Sequence, residues 1–322
     1  MENRTKIDRL AVSVDFDRAQ ILEALGAIYG PVYGKPQIEN VSAAHGFESA
    51  ATVIVGGVKA GWWAWGGDSQ RGRSYLDITG VGCGLVSDWK TAQEALWSLP
   101  RASVKRCDIA ADFYRGEVTY EDTLEAYRAG KFQRGGRPPS MHQRLPDSED
   151  EGRTIYVGKR EAAVFFRGYE KGKKEFQSMR PKDRDLLGSP SLVTCSTSGV
   201  EPYVMANWYR LELELKGRKA PLPEDIIERR DQYFAGAYPY LAEVLPDVDA
   251  QILVTPKQIG IANVEAALEH IRQQYGRTLF TALTVFEGDF LAVWDRIVGK
   301  EHSPRLIEAG ALLDAAQPVI HT

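Results

Sequence analysis

Three short stretches of the chain carry side chains that could hold a hard cation or attack a phosphodiester. The first, Lys105-Arg-Cys-Asp-Ile-Ala-Ala-Asp-Phe113, alternates with period two, which reads as a strand with one face toward a core. Cys107, Ile109, Ala111 and Phe113 take the core face; Arg106, Asp108, Ala110 and Asp112 take the other. Carboxylate oxygens are the donors that Mg2+ or Mn2+ accept. Asp108 and Asp112 are roughly 13 Å apart along a strand, so each needs a partner from a neighbouring strand. The second stretch, Tyr209-Arg-Leu-Glu-Leu-Glu-Leu-Lys216, is built the same way, with Arg210, Glu212, Glu214 and Lys216 opposite three leucines. Glutamate is disfavoured in strands, and two on one face invite a bound cation as the explanation. The third, Phe165-Phe-Arg-Gly-Tyr-Glu-Lys171, sets Tyr169 between Arg167 and Lys171. A phenol ionises near pH 10, at a cost of roughly 4 kcal/mol at neutral pH. Flanking cations and a metal would reduce that cost and make Tyr169 a nucleophile. Each stretch taken singly is equally an ordinary strand with a solvated polar face; their conjunction is what points to chemistry.

Other site signatures are absent. The histidines (His45, His142, His270, His302 and His321) are scattered, without a His-x-His or H-E-x-x-H pattern. No Walker A lysine loop occurs, and Gly80-Val-Gly-Cys-Gly84 reads as a structural turn. Cys83, Cys107 and Cys195 are odd in number and far apart, forming neither a disulfide framework nor a zinc knuckle. A reducing bacterial cytoplasm is expected, since Met1–Arg9 lacks an apolar signal core and no run of 18 apolar residues exists.

The net charge of −4 argues at first against a polyanionic partner. Its distribution is uneven. Residues 101–220 hold 23 Lys and Arg against 18 Asp and Glu, a balance of +5, and the remainder holds 17 against 26, a balance of −9. Phosphate binding follows local charge, so the basic third could hold nucleic acid; a balance of +5 is also within ordinary scatter.

The elements that must position these residues are a strand at Leu10–Phe16, a helix at Asp17–Tyr29, a hairpin over Ala51–Trp65 broken at Gly56-Gly57, a strand at Ser74–Thr79 and a helix at Asp88–Leu99. A second series follows: strand Val104–Phe113, helix Tyr120–Ala129, paired strands Arg153–Val157 and Ala163–Lys171, and strand Trp208–Lys216. Both series read β-α-β-β-β, and Val12-Ser-Val-Asp-Phe16 resembles Ile109-Ala-Ala-Asp-Phe113, which suggests an internal duplication. Arg134–Gly152 and Gln177–Asn207 read as loops, and helices follow from Pro221 at Asp225–Phe234, Val264–Gln274, Leu279–Val298 and Pro304–Leu313. The expected architecture is α+β, with antiparallel-rich sheets from the duplicated unit and a helical C-terminal region. Its divisions are 1–100, 101–220 (catalytic) and 221–322.

The motifs KRCDIAADF (105–113), TIYVGKR (154–160), FFRGYEKGKKE (165–175) and WYRLELELKG (208–217), in this order, together resemble the replication initiation factor family of rolling-circle initiators and related relaxases. RDQYFAGAYPYL (230–241) resembles its filamentous phage and prophage branch. The resemblance spans roughly residues 8–245. It implies a metal-dependent, site-specific DNA nickase and strand transferase acting through a 5′-phosphotyrosyl intermediate. By it, Tyr169 is the nucleophile, with Tyr156 second choice, and Arg167 and Lys171 accompany it. Asp108, Asp112, Glu212 and, less firmly, Glu214 fall where the family's acidic metal-binding residues lie, for Mg2+ or Mn2+. Arg106, Lys159, Arg160, Lys173 and Lys174 are placed to hold backbone phosphates. The implied partners are origin DNA, a host helicase and polymerase, and a second copy in a homodimer; no membrane is implied. A conjugative-element relaxase, or a non-catalytic DNA-binding regulator on the same fold, is the alternative. Gly168 departs from the family, which has a β-branched residue there, and the Ser/Pro-rich insert 177–207 separates the tyrosine from the glutamate strand.

Overall fold

The computed structural model describes residues 4–134, 138–197, 199–217, 222–253 and 258–303. The first half of the chain forms β1 (Lys6–Asp15), α1 (Arg18–Tyr33), β2 (Gln37–Val41), β3 (Ser49–Val55), β4 (Val58–Trp65), β5 (Arg73–Ile78), α2 (Gly80–Gly84) and α3 (Trp89–Trp97). The second forms β6 (Ser103–Phe113), α4 (Tyr120–Arg128), β7 (Met141–Arg144), β8 (Thr154–Val157), β9 (Val164–Tyr169), α5 (Lys171–Ser178), α6 (Pro181–Leu187), β10 (Thr194–Thr197), β11 (Val200–Val204) and β12 (Tyr209–Lys216). Four helices follow: α7 (Arg230–Ala235), α8 (Pro239–Val244), α9 (Gln258–Val285) and α10 (Phe290–Ile297).

Ten of the strands make one sheet, in the order β2-β3-β4-β5-β1-β6-β12-β9-β8-β7, with every pairing antiparallel. The α+β expectation is met, and the order has a simple logic. In each half the first strand lies at the centre, the last strand pairs with it, and the preceding strands run outward to the edge. Thus β1-β5-β4-β3-β2 mirrors β6-β12-β9-β8-β7 about the β1–β6 seam. Register extends the correspondence to residues. Asp15, Ser13 and Ala11 face Arg73, Tyr75 and Asp77 across β1–β5. Asp112, Ala110 and Asp108 face Arg210, Glu212 and Glu214 across β6–β12. The Asp15–Arg73 ion pair therefore recurs as Asp112–Arg210. Each half adds one unexpected strand to the edge of the sheet, β2 and β7, the latter inside the stretch 134–152 read as a loop, and the insert adds the separate pair β10–β11.

The core lies on one face of the sheet. Leu10, Val12, Trp63, Leu76, Ile109, Phe166, Leu211 and Leu213 join Ile21, Leu25 and Ile28 of α1, Leu96 of α3 and Leu241 of α8 in a single buried cluster. Helix starts are set by side-chain caps: Asp17 on α1, Asp88 on α3, and a Thr119–Asp122 capping box on α4. The glycine turn after β5 is structural, because a Cβ on Gly82 would stand 2.0 Å from the Ala60 carbonyl oxygen.

The compact units are Met1–Leu253 and Val254–Thr322. Residues 222–253 therefore belong with the sheet rather than with the C-terminal helices: Ile226, Phe234 and Leu241 are fully buried in its core. In the second unit, α9 stops at Val285 because Glu287 and Gly288 take left-handed backbone (φ 52° and 84°), so the helix expected over Leu279–Val298 is two. Asp289 caps α10. The helix expected at Pro304–Leu313 lies outside the described residues. No helix among the described residues is long and apolar enough to cross a membrane.

Candidate active site

Residues directly opposed on neighbouring antiparallel strands share a face, so register alone assembles the site. One row across the second half of the sheet reads Arg144, Thr154, Tyr169, Arg210, Asp112; the next reads His142, Tyr156, Arg167, Glu212, Ala110. A third holds Phe165, Glu214 and Asp108. Every acid and both tyrosines singled out in the sequence therefore stand on the sheet face opposite the core.

That face is not open to solvent. Asp108, Glu212 and Glu214 are only 2%, 2% and 1% exposed. A buried carboxylate without a partner is costly, and each of these has a cation. Arg106 donates from Nε and Nη2 to Asp108 (2.8 and 2.7 Å), and Nη2 also reaches Glu214 at 2.8 Å. Arg167 donates to Glu212, and Lys216 lies against Glu214. Arg210 holds Asp112 with two bonds of 2.7 and 2.9 Å and reaches Asp8 at 2.9 Å. Lys6 and the Trp208 indole also bind Asp112, at 2.6 and 2.7 Å. Asp112 thus stands apart from the other acids, in its own ion-pair cluster.

Tyr169 is at the centre. Its Oη donates to Glu212 Oε2 at 3.1 Å, and the Lys174 ammonium lies 4.5 Å from its ring centre. Burial first, and the Glu212 charge second, push its phenol well above the ordinary range, outweighing Arg210 and Arg167. Arg167 and Arg210 do ease its ionisation, but burial and Glu212 outweigh them; the phenol keeps its proton at neutral pH, and the carboxylate it bonds to is where that proton can go. Tyr156 lies directly opposite Arg167 and stacks on Phe165 at 5.9 Å; Arg167 and Tyr169 share one face of β9, two residues apart. Arg167 Nε is buried without a hydrogen-bond partner.

Lys171 is not where alternation put it. β9 ends at Tyr169 and Lys171 opens α5, where it binds Glu175 and sits 5.6 Å from the Trp208 ring. The break is forced by packing, since a Cβ on Gly172 would stand 1.6 Å from the Met205 carbonyl oxygen. The cation at the tyrosine is Lys174, one helical turn on. Among the other basic residues, Lys159 and Arg160 are exposed in the β8–β9 turn, whereas Arg106 and Lys173 are engaged with acids. Sequence reading left out Lys6, His142, Arg144 and Trp208; only register reveals the first three, and the Asp112 bond the fourth.

Burial, with the charges of Glu212 and Glu214, raises the Asp108 carboxyl from 3.8 to about 6 despite Arg106. Glu214 Oε1 is buried against the Lys216 ammonium. Three buried carboxylates on the neighbouring strands β6 and β12, one of them with a raised pKa, have the donor chemistry of a site for a hard divalent cation. The set is not preformed: among the described residues no three His, Cys, Asp or Glu side chains converge as a ligand group.

This paired, tyrosine-centred face falls inside the segment that family comparison singles out. Residues 102–252 match the replication initiation factor family. The match begins at β6 and ends where the first compact unit ends, so it takes in the whole second half of the sheet with α7 and α8. The fold is also that of a solved protein, the rolling circle replication initiator protein from Geobacillus stearothermophilus. The two align with a TM-score of 0.51 at 15% identity, over 77% of this chain and 99% of that one. No curated protein matches the chain.

Proposed function

We propose that this replication initiation factor relative is a rolling-circle initiator that nicks one strand of its origin through Tyr169. The observation that carries the reading is the Tyr169–Glu212 hydrogen bond on a face of paired acids and arginines. The proton on the phenol passes to Glu212 as the oxygen attacks phosphorus. The P–O3′ bond breaks and its oxygen takes a proton from water, leaving a 3′-hydroxyl for a polymerase and a 5′-phosphotyrosyl link. That link conserves the bond energy, so a later 3′-hydroxyl can reverse the step and close a circle. Arg167, opposite Tyr156 and with an unpaired Nε, is suited to the charge that builds on the phosphoryl oxygens. A divalent Mg2+ or Mn2+ ion, when bound, supplies further neutralisation of that charge. Asp108 and Glu214 would hold it, releasing Arg106, with Glu212 alongside. Lys159 and Arg160 are free to hold backbone phosphates at the exposed turn. The likeness of 230–241 to the phage branch supports a phage or prophage setting; this segment forms the buried α7–α8 corner.

The test uses supercoiled DNA carrying the cognate origin, with Mn2+. Open circles carrying covalently bound protein are expected. Tyr169→Phe should abolish the adduct, and Tyr156→Phe should retain it. An adduct that persists in Tyr169→Phe removes the assigned nucleophile, and a chain that never nicks under these conditions removes the reading.

A further inference from the structure

The N-terminal half keeps the ion-pair frame of the second half without its reactive groups. Glu212 opposite Arg167 is matched in register by Tyr75 opposite Ala64, and Glu214 opposite Phe165 by Asp77 opposite Trp62. Arg9 holds Asp77 as Arg106 holds Glu214. In place of the reactive groups stand four rings. His45 and Phe47 meet Trp62 edge-on at 6.3 and 6.2 Å, Trp62 meets Tyr75 at 6.4 Å, and Phe47 meets Tyr75 at 6.3 Å. They wall a depression of about 740 Å³ whose lining also includes Lys59, Gln70, Thr79 and the Arg9–Asp77 ion pair. Phe47, Trp62 and Tyr75 are each partly exposed to it, and His45 and Lys59 are exposed.

We propose that this depression holds a nucleotide unit, its base against the rings and its phosphate toward Lys59 and Arg9. This rests on the DNA-nicking reading for its source, the unpaired strand handled at Tyr169. Three observations carry it. Partly exposed aromatic walls offer stacking surfaces of the kind that bind bases without sequence demands. Lys59, exposed in the lining, suits a phosphate, and Arg9 reaches one from its pair with Asp77. The depression and Tyr169 lie on the same face of one sheet, four strand steps apart from β9 to β5, roughly 19 Å at the usual spacing. Lys6, Arg106 and Arg210 stand on the intervening strands. On this reading the N-terminal half holds the strand that the second half acts on.

Binding of fluorescent single-stranded oligonucleotides to the full chain tests this, with Trp62→Ala, Phe47→Ala and Lys59→Glu as variants. Loss of affinity by about tenfold for each aromatic change, and photocrosslinking of iododeoxyuridine DNA to the 45–75 region, supports the strand as the source. Saturable binding of a free deoxynucleotide that Trp62→Ala removes, with oligonucleotide affinity unchanged, keeps the chemistry and assigns a free nucleotide instead. Unchanged binding of both overturns the proposal. Lys59→Glu, at an exposed position, decides the matter if an aromatic variant fails to fold. Origin nicking by the wild-type chain is scored separately: nicking with an inert depression sinks only this inference, and deoxynucleotide binding without nicking sinks only the nickase.

Discussion

At the scale of single residues, the candidate active face is a balance of buried charges rather than a set of solvated polar groups. Asp108 shows the strain in that balance. In the folded chain it releases its proton near pH 6, against 3.8 ordinarily. Between those values the folded chain holds a proton that the unfolded chain has lost. Stability therefore falls as pH rises through this window, by about 3 kcal/mol for the single group, and the fall is complete above it. Asp108→Asn should lack that fall, so its stability relative to wild type rises between about pH 4 and pH 7. Urea unfolding in the presence of a chelator measures the difference. Parallel curves for the two proteins would show that Arg106 already compensates the charge fully. The alternation of β6 and β12 was legible in the sequence because strand periodicity is local. The burial of their polar faces was not, because it depends on Arg106 meeting Glu214 across 108 residues and on Arg167 meeting Glu212 across 45.

Among the elements, β9 is the most constrained. Gly168, the departure from the family pattern, sits beneath the Tyr209 hydroxyl: a Cβ there would stand 2.6 Å from that oxygen and 3.3 Å from Thr123 Cγ2. The hydroxyl is itself fixed by a 3.2 Å bond to Thr123. Gly168→Ala should then cost roughly 1–3 kcal/mol through overpacking. Removing the obstruction with Tyr209→Phe should recover part of that cost, so the two changes are non-additive in urea unfolding. Additive losses would mean that the clash is relieved elsewhere. The same packing explains what sequence reading missed. β2 (Gln-Ile-Glu-Asn-Val) and β7 (Met-His-Gln-Arg) are edge strands, mostly exposed, and carry no hydrophobic alternation to announce them. The β10–β11 hairpin in the insert was read as loop for the same reason: its residues are nearly all exposed or half-buried. Lys171 was misplaced because the end of β9 is set by the approach of Gly172 to Met205, a contact with no local signature.

For the molecule as a whole, the sheet and its core are complete at Leu253. A chain ending there should unfold cooperatively in calorimetry, with a midpoint within a few degrees of the full protein. A broad or absent transition would show that the C-terminal helices support the sheet. The duplicated plan was visible in the sequence as a repeated element order and as the likeness of residues 12–16 to 109–113. Its mirror arrangement was not, because nothing in either copy states that the two first strands will lie side by side.

That seam has a consequence for any attempt to study the halves apart. β1 spans ten residues, and in the intact chain its outer side is occupied by β6. Cut the chain at residue 101 and the N-terminal fragment presents a long, unguarded row of amide and carbonyl groups along β1. Such a row recruits whatever strand can complete it, and the nearest candidate of matching shape is the β1 of another fragment. The isolated half would be expected to self-associate, rebuilding across a molecular two-fold what the duplication built within one chain.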